Sequence, residues 1–98
     1  MNILDNAFVL AKNAYGAKGH AEAKDILQAR YPNVKWDDIS ESYLKACALA
    51  EACYEFGERC RAKKATDEEA IIQMQKSFPG FSEATYGVAL SHGYFISK

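Results

Sequence analysis

The chain has 98 residues, a formal net charge of −1 and an ordinary balance of apolar and charged residues. That length suffices for one domain, and the near-neutral charge excludes a global attraction to nucleic acid or an anionic membrane. No apolar run reaches the roughly 18–20 residues that span a bilayer, and residues 1–6 lack the features of a signal peptide. We therefore expect a cytoplasmic protein that does not associate with membranes.

The apolar residues recur at helical spacing and nowhere alternate for long, which predicts an all-α fold, a compact bundle of about five helices. The first helix is predicted over about residues 2–15 and is expected to end at Gly16 and Gly19. The second is predicted over about 20–31, ending before Pro32. The side chains expected to face inward on these two helices are Ile3, Leu4, Ala7, Phe8, Leu10, Ala11, Ala14, Tyr15, Ala23, Ile26, Leu27 and Tyr31.

The third helix is predicted to begin with Asp37 as its N-cap and to run to about Lys64. Its apolar residues follow alternating steps of four and three, which is the spacing of a helix–helix seam. The seam is bulky at its start and small thereafter, so a neighbouring helix is expected to approach closely. It comprises Ile39, Tyr43, Ala46, Ala50, Cys53, Gly57 and Cys60.

Two further helices are predicted after the third. Thr66 and Glu69 have the spacing of a capping box, which opens a fourth helix that ends near Phe78, before Pro79. Ser82 is the expected N-cap of a fifth helix that ends near Ile96. The expected inward side chains are Ile71, Met74 and Phe78 on the fourth helix and Thr85, Val88, Ala89, His92 and Ile96 on the fifth.

The sequence repeats its pattern at an offset of 47 residues. Residues 31–34 align with residues 78–81, and both segments carry an aromatic-Pro turn between two helices. We therefore predict one helical domain over residues 1–98, made of two similar helix–turn–helix hairpins at about 20–64 and 66–97. Tyr31 and Phe78 are expected to anchor these hairpins in the core.

No metal, cofactor or catalytic site is predicted. Cys47, Cys53 and Cys60 lie six and seven residues apart on one helix, whereas zinc sites need closer cysteine pairs, and one straight helix keeps such residues beyond disulfide distance. Reduced, structural thiols are expected. His20 and His92 are distant in sequence from the cysteines, and His20 is expected at the surface. Without a nucleophile–base pair or a phosphate-binding loop, the sequence does not predict an enzyme.

A basic cluster lies at the end of the third helix: Arg59, Arg61, Lys63 and Lys64. Cations are favoured at a helix C-terminus, but four in six residues exceed what a cap requires. A 28-residue helix is about 42 Å long, more than the roughly 33 Å diameter of a compact domain of this size. The helix is therefore expected to bend at Gly57, or to project and expose the basic residues together with Gly57 and Cys60.

These features favour a small non-enzymatic protein that binds another protein, of the kind that phages encode or that serves as an accessory inhibitor of a larger complex. The four basic residues are the predicted partner-binding residues. The first alternative is a nucleic-acid-associated helix–turn–helix module, although Glu83 near the start of its reading helix would repel phosphate. The second is a homodimer formed through the small-residue seam of the third helix; the protein is expected to be a monomer or such a dimer.

Overall fold

The computed structural model describes residues 2–98 and shows five α-helices with no β-strand in that range. The all-α prediction is confirmed. The helices are α1 (Ile3–Asn13), α2 (Gly16–Arg30), α3 (Trp36–Arg61), α4 (Asp67–Ser77) and α5 (Glu83–Ile96). Across residues 2–98, no helix is both long and apolar enough to cross a membrane.

The chain divides into two compact units, Met1–Cys47 and Ala48–Lys98. The first holds α1, α2 and the beginning of α3; the second holds the remainder of α3, α4 and α5. Each unit thus runs helix, helix, aromatic-Pro turn, helix, which is compatible with the predicted repeat. That the two hairpins form one domain stays a prediction.

The start of the first unit differs from the predicted boundaries. Asn2 caps α1: its side chain accepts a hydrogen bond from the backbone N–H of Asp5 at 2.8 Å, and the Asp5 carboxylate accepts one from the backbone N–H of Asn2 at 3.1 Å. The prediction that Gly16 and Gly19 end the first helix is wrong. The chain turns extended at Ala14 and Tyr15, and Gly16, with φ of 70°, begins α2.

The core of the first unit contains fewer of the side chains on α1 and α2 than the sequence predicts. Ala7, Phe8, Ala11, Ala23 and Leu27 are buried, as expected. Tyr15 is 94% exposed because the extended segment between α1 and α2 carries it away from the helix face, and Ile26 is 44% exposed. The predicted inward position of these two side chains is wrong.

Helix α3 is continuous from Trp36 to Arg61, so it does not break at Gly57, which was one of the two outcomes predicted for this helix. It begins one residue before Asp37, and Asp37 lies in the first turn, where the helix dipole favours a carboxylate. All predicted seam residues except Ala50 are buried. Leu49 and Phe56, which the seam pattern does not include, are buried too.

The small-residue seam allows a close helix–helix contact inside the second unit. A Cβ atom on Gly57 would overlap the carbonyl group of Gly93 on α5, and one on Gly93 would overlap the backbone oxygen of Cys53. The predicted close approach therefore occurs within the chain itself. Gly57 and Cys60 are buried rather than bare, which leaves the seam unavailable as an exposed homodimer surface.

This contact also sets the rotation of α5. The residues buried on α5 are Thr85, Tyr86, Ala89, Leu90 and Gly93. The predicted face contained Val88 and Ile96 instead, and both are exposed. Because α5 is apolar on most sides, its periodicity does not select a face. The position of Gly93 does, since the absence of a Cβ there and at Gly57 lets α5 approach α3 so closely.

In the two aromatic-Pro turns, the aromatic residue before the proline has nearly the same backbone conformation. Tyr31 has φ −126° and ψ 66°, and Phe78 has φ −133° and ψ 70°. Different side chains close them: Gln28 donates to the backbone oxygens of Tyr31 and Val34, whereas the Tyr86 hydroxyl donates to the backbone oxygen of Phe78.

The predicted aromatic anchors are only half-buried. Tyr31 uses its hydroxyl to accept a hydrogen bond from the Asn6 side chain at 2.6 Å, and Phe78 is half-buried as well. Phe81 and Tyr86 fill the core near the second turn, with ring centroids 5.8 Å apart. The predicted anchoring of the hairpins by Tyr31 and Phe78 is therefore wrong, because neither side chain is fully buried in the core.

Candidate functional site

The basic end of α3 terminates in a well-formed helix cap. The backbone N–H of Lys63 donates to the carbonyl of Cys60 at 3.1 Å, and that of Lys64 donates to the carbonyl of Arg59 at 2.9 Å. This is the Schellman arrangement, in which the residue after the helix adopts a left-handed conformation. Lys63 occupies that position with φ of 59°, where glycine is usual.

All four predicted partner-binding residues are exposed: Arg59, Arg61, Lys63 and Lys64. No carboxylate of residues 2–98 forms an ion pair with any of them. Arg61 donates from Nε to the backbone oxygen of Tyr94 at 3.4 Å, which directs it toward α5. Exposed cations without an ion-pair partner can still pair with a carboxylate from another molecule.

The structure brings two of the four basic residues together at one depression. Arg59 and Lys64 border an open depression of about 290 Å³ between the end of α3 and α4. Its remaining lining residues are Phe56, Ala65, Glu69, Ala70, Ile72 and Gln73. Arg61 and Lys63 do not line it. We call this surface the basic–apolar depression.

The depression combines apolar and polar groups. Ile72 is 46% exposed and supplies apolar surface, while Phe56 is buried beneath it. The carboxylate of Glu69 accepts a hydrogen bond from the backbone N–H of Thr66 at 3.0 Å, which holds the pKa of Glu69 below its usual range. This confirms the predicted capping box. Glu69 is thus engaged with the start of α4.

A second depression adjoins the first and changes its electrostatic character. It measures about 390 Å³ and is lined by Glu55, Glu58, Arg59, Ala62 and Lys64. Two glutamates therefore lie beside the two basic residues. A phosphate backbone tracking across this area would meet negative as well as positive charge, so the surface suits a mixed-charge partner better than a uniformly anionic one.

The cysteines sit in different surroundings, and all three are thiols in the structure. Cys53 and Cys60 are buried, as expected of compact apolar fillers, and burial raises the pKa of Cys60. Cys47 is half-buried, and its Sγ lies 3.9 Å from Nδ1 of His20. Within residues 2–98, no three His, Cys, Asp or Glu residues are grouped so as to hold a metal ion.

Sequence reasoning missed the contacts of His20. This residue was expected at the surface, but its Nδ1 lies 2.6 Å from the Tyr43 hydroxyl and its ring packs edge-on against Tyr43. The contacts join positions 23 and 27 residues apart. The only available signal was that Tyr43 and Cys47 are four residues apart and therefore share one face of α3.

The left-handed conformation of Lys63 gives a direct prediction. Lys63→Gly should raise the free energy of unfolding by about 0.5–1 kcal/mol, because glycine has no Cβ to oppose a positive φ. Urea denaturation of both proteins measures the change. Lys64→Gly is the matched control, since Lys64 lies outside the left-handed region and its replacement should bring no gain. A Lys63→Gly variant no more stable than the parent would contradict the assigned cap.

No protein-family description, curated protein or solved structure matches this chain.

Proposed function

We propose that this protein acts by binding another protein through the basic–apolar depression of its second unit. The supporting observation is the pairing of two exposed, positively charged side chains, Arg59 and Lys64, with the apolar surface of Ile72. The occupant we propose is an acidic protein segment that places one apolar side chain in the depression and carboxylates against the two cations.

The geometry suits this partner for three reasons. The cations have no intramolecular ion pair, so a partner's carboxylate would replace water rather than an existing contact. The depression is large enough for an apolar side chain, whose burial there adds about 25 cal/mol for each Å² removed from water. The neighbouring Glu55 and Glu58 would reject a segment that is acidic throughout, which gives selectivity through repulsion.

Nucleic-acid binding is the competing proposal, and acidic residues in the first turns of two helices weigh against it. The exposed first turn of α5 carries Glu83, and that of α3 carries Asp37 and Asp38. A reading helix normally presents basic or amide side chains at this end. Inhibition of a larger complex is one kind of activity that such protein binding would produce. Whether this protein is an inhibitor depends on the identity of its partner.

A matched pair of variants tests the proposal. Arg59→Ala with Lys64→Ala removes the charges at the depression; Arg61→Ala with Lys63→Ala removes equal charge nearby. The first variant should weaken partner binding about tenfold, from two contacts of about 0.5–1 kcal/mol each, and should reduce its salt dependence. The second should bind nearly as the parent does. Both should keep their thermal stability, because exposed charges contribute little.

The measurement is capture of partners from a lysate of the native host on the immobilised chain, at low and high salt, followed by titration of the captured protein. The lysate is divided and one half is treated with nuclease. Equal losses in the two variants would assign binding to net charge alone. Capture that disappears after nuclease treatment would favour the nucleic-acid alternative and overturn the proposal.

A further inference from the structure

Three titratable side chains converge in the first unit, and none of them belongs to the basic–apolar depression. Nδ1 of His20 on α2 lies 2.6 Å from the Tyr43 hydroxyl and 3.9 Å from Sγ of Cys47, both on α3. Tyr43 is 2% exposed, whereas His20 and Cys47 are half-buried. One imidazole nitrogen therefore lies beside a buried hydroxyl and the thiol of a half-buried cysteine.

We propose that Cys47 is a modification site, the thiol of this protein that exchanges with small-molecule disulfides, and that His20 is the group that accepts its proton. An imidazole beside a thiol favours the thiolate, which is the species that attacks a disulfide. The proposal does not depend on the function proposed above, because the two sites lie in different units and share no residue.

The roles of the three groups follow from their positions. The Cys47 thiol passes its proton to Nδ1 of His20, leaving a thiolate beside an imidazolium. Tyr43 stays protonated, because burial, followed by its interactions with Cys47, raises its pKa to about 12. Both ring nitrogens of an imidazolium can only donate, so the Tyr43 hydroxyl is then available to donate to the thiolate. His20 is half-exposed, so its proton can pass on to water.

The exchange step balances without any further reagent. The Cys47 thiolate attacks one sulfur of the disulfide, a new S–S bond forms to Cys47, and the S–S bond of the small molecule breaks. The departing thiolate takes a proton from water or from the imidazolium. One thiol of the protein is oxidised to a mixed disulfide, and one half of the small molecule is reduced to a thiol.

The other two cysteines serve as internal references. Cys53 is 0% exposed and its Sγ donates to the carbonyl of Leu49 within the helix. Cys60 is 7% exposed and lies 3.7 Å from the backbone oxygen of Thr66. Burial should keep both slow in the folded protein.

The test treats the folded chain with oxidised glutathione at neutral pH and follows each cysteine by peptide mapping. Cys47 should take up one glutathione and react about tenfold faster than a short peptide of residues 44–50, which has the same cysteine without His20. His20→Asn should remove most of that advantage. His92→Asn, at the other histidine, should leave the rate of Cys47 unchanged.

Three results would overturn the proposal. The first is reaction of Cys53 or Cys60 as fast as Cys47 in the folded chain. The second is a Cys47 rate equal to or below that of the peptide. The third is a His20→Asn variant that keeps the full rate while its circular dichroism shows an intact fold. The first two use the unsubstituted protein, so they decide the matter even where the variant does not fold.

Discussion

Gly93→Ala should lower the free energy of unfolding by about 3 kcal/mol, at the upper end of what overpacking a core costs. The added Cβ would overlap the backbone oxygen of Cys53 and lie 3.2 Å from the backbone nitrogen of Gly57. Both neighbours are backbone atoms of α3, which cannot move aside as the end of a side chain can. Gly57→Ala should have a similar effect, since its Cβ would overlap Gly93.

The same helix provides the control for this measurement. Gly87 on α5 has nothing within 4 Å of an added Cβ, so Gly87→Ala should raise stability by about 0.5–1 kcal/mol through helix propensity. Urea denaturation of the three variants gives the comparison. Gly93→Ala and Gly87→Ala proteins of equal stability would show that α3 and α5 do not meet at these glycines.

Leu27→Ala should lower the free energy of unfolding by about 2–5 kcal/mol, the cost of removing a large buried side chain and leaving a cavity. Leu27 is 0% exposed in the first unit. Ile26, its neighbour, is exposed, so Ile26→Ala should cost less than about 1 kcal/mol.

The sequence pattern predicts that Leu27 and Ile26 both face inward, whereas the structure buries only Leu27. Comparing the two variants therefore tests the structure against the sequence pattern. Chemical denaturation of the two variants decides between them. Similar losses for Leu27→Ala and Ile26→Ala would mean that α2 is rotated relative to its described orientation. Met74→Ala, at the position aligned with Leu27 in the repeat, should show a large loss as well, because Met74 is also 0% exposed.

Local signals in the sequence were sufficient to predict the helices and the N-caps of α4 and α5. The capping box of Thr66 and Glu69 and the cap by Ser82 depend on residues three apart, so their spacing is visible in the sequence. The seam of α3 was predicted for the same reason. Boundaries were missed where a residue adopts an unusual backbone, as at Gly16, because a glycine is equally suited to beginning a turn and to ending a helix.

Packing between helices was harder to predict, because it depends on contacts between residues distant in the sequence. Helix α5 is apolar on most sides, and its orientation is decided by Gly93 against α3 rather than by its own periodicity. The spacing of Tyr15 fits the first helix and predicts that it faces inward, but that helix ends at Asn13. A continuous pattern does not show where the backbone leaves the helix.

The candidate site was predicted in part. The density of basic residues near the end of α3 identified the segment, and their exposure agrees with the expectation. The depression beside Arg59 and Lys64 also needs Ile72 and Gln73 from α4, and no sequence signal joins these residues to α3. The contact of His20 with Tyr43 and Cys47 was missed for the same reason, since it forms only when α2 packs on α3.

Hydrogen exchange of the chain with and without its captured protein partner tests the proposed binding surface most directly. Binding at the basic–apolar depression predicts slower exchange at the backbone amides of residues 59–66 and 69–73. The apolar groove of the first unit, lined in part by Val9, Tyr15 and Ile26, should exchange unchanged. Protection confined to that groove, or to the turn at residues 78–82, would contradict the proposal and place the binding surface elsewhere on the chain.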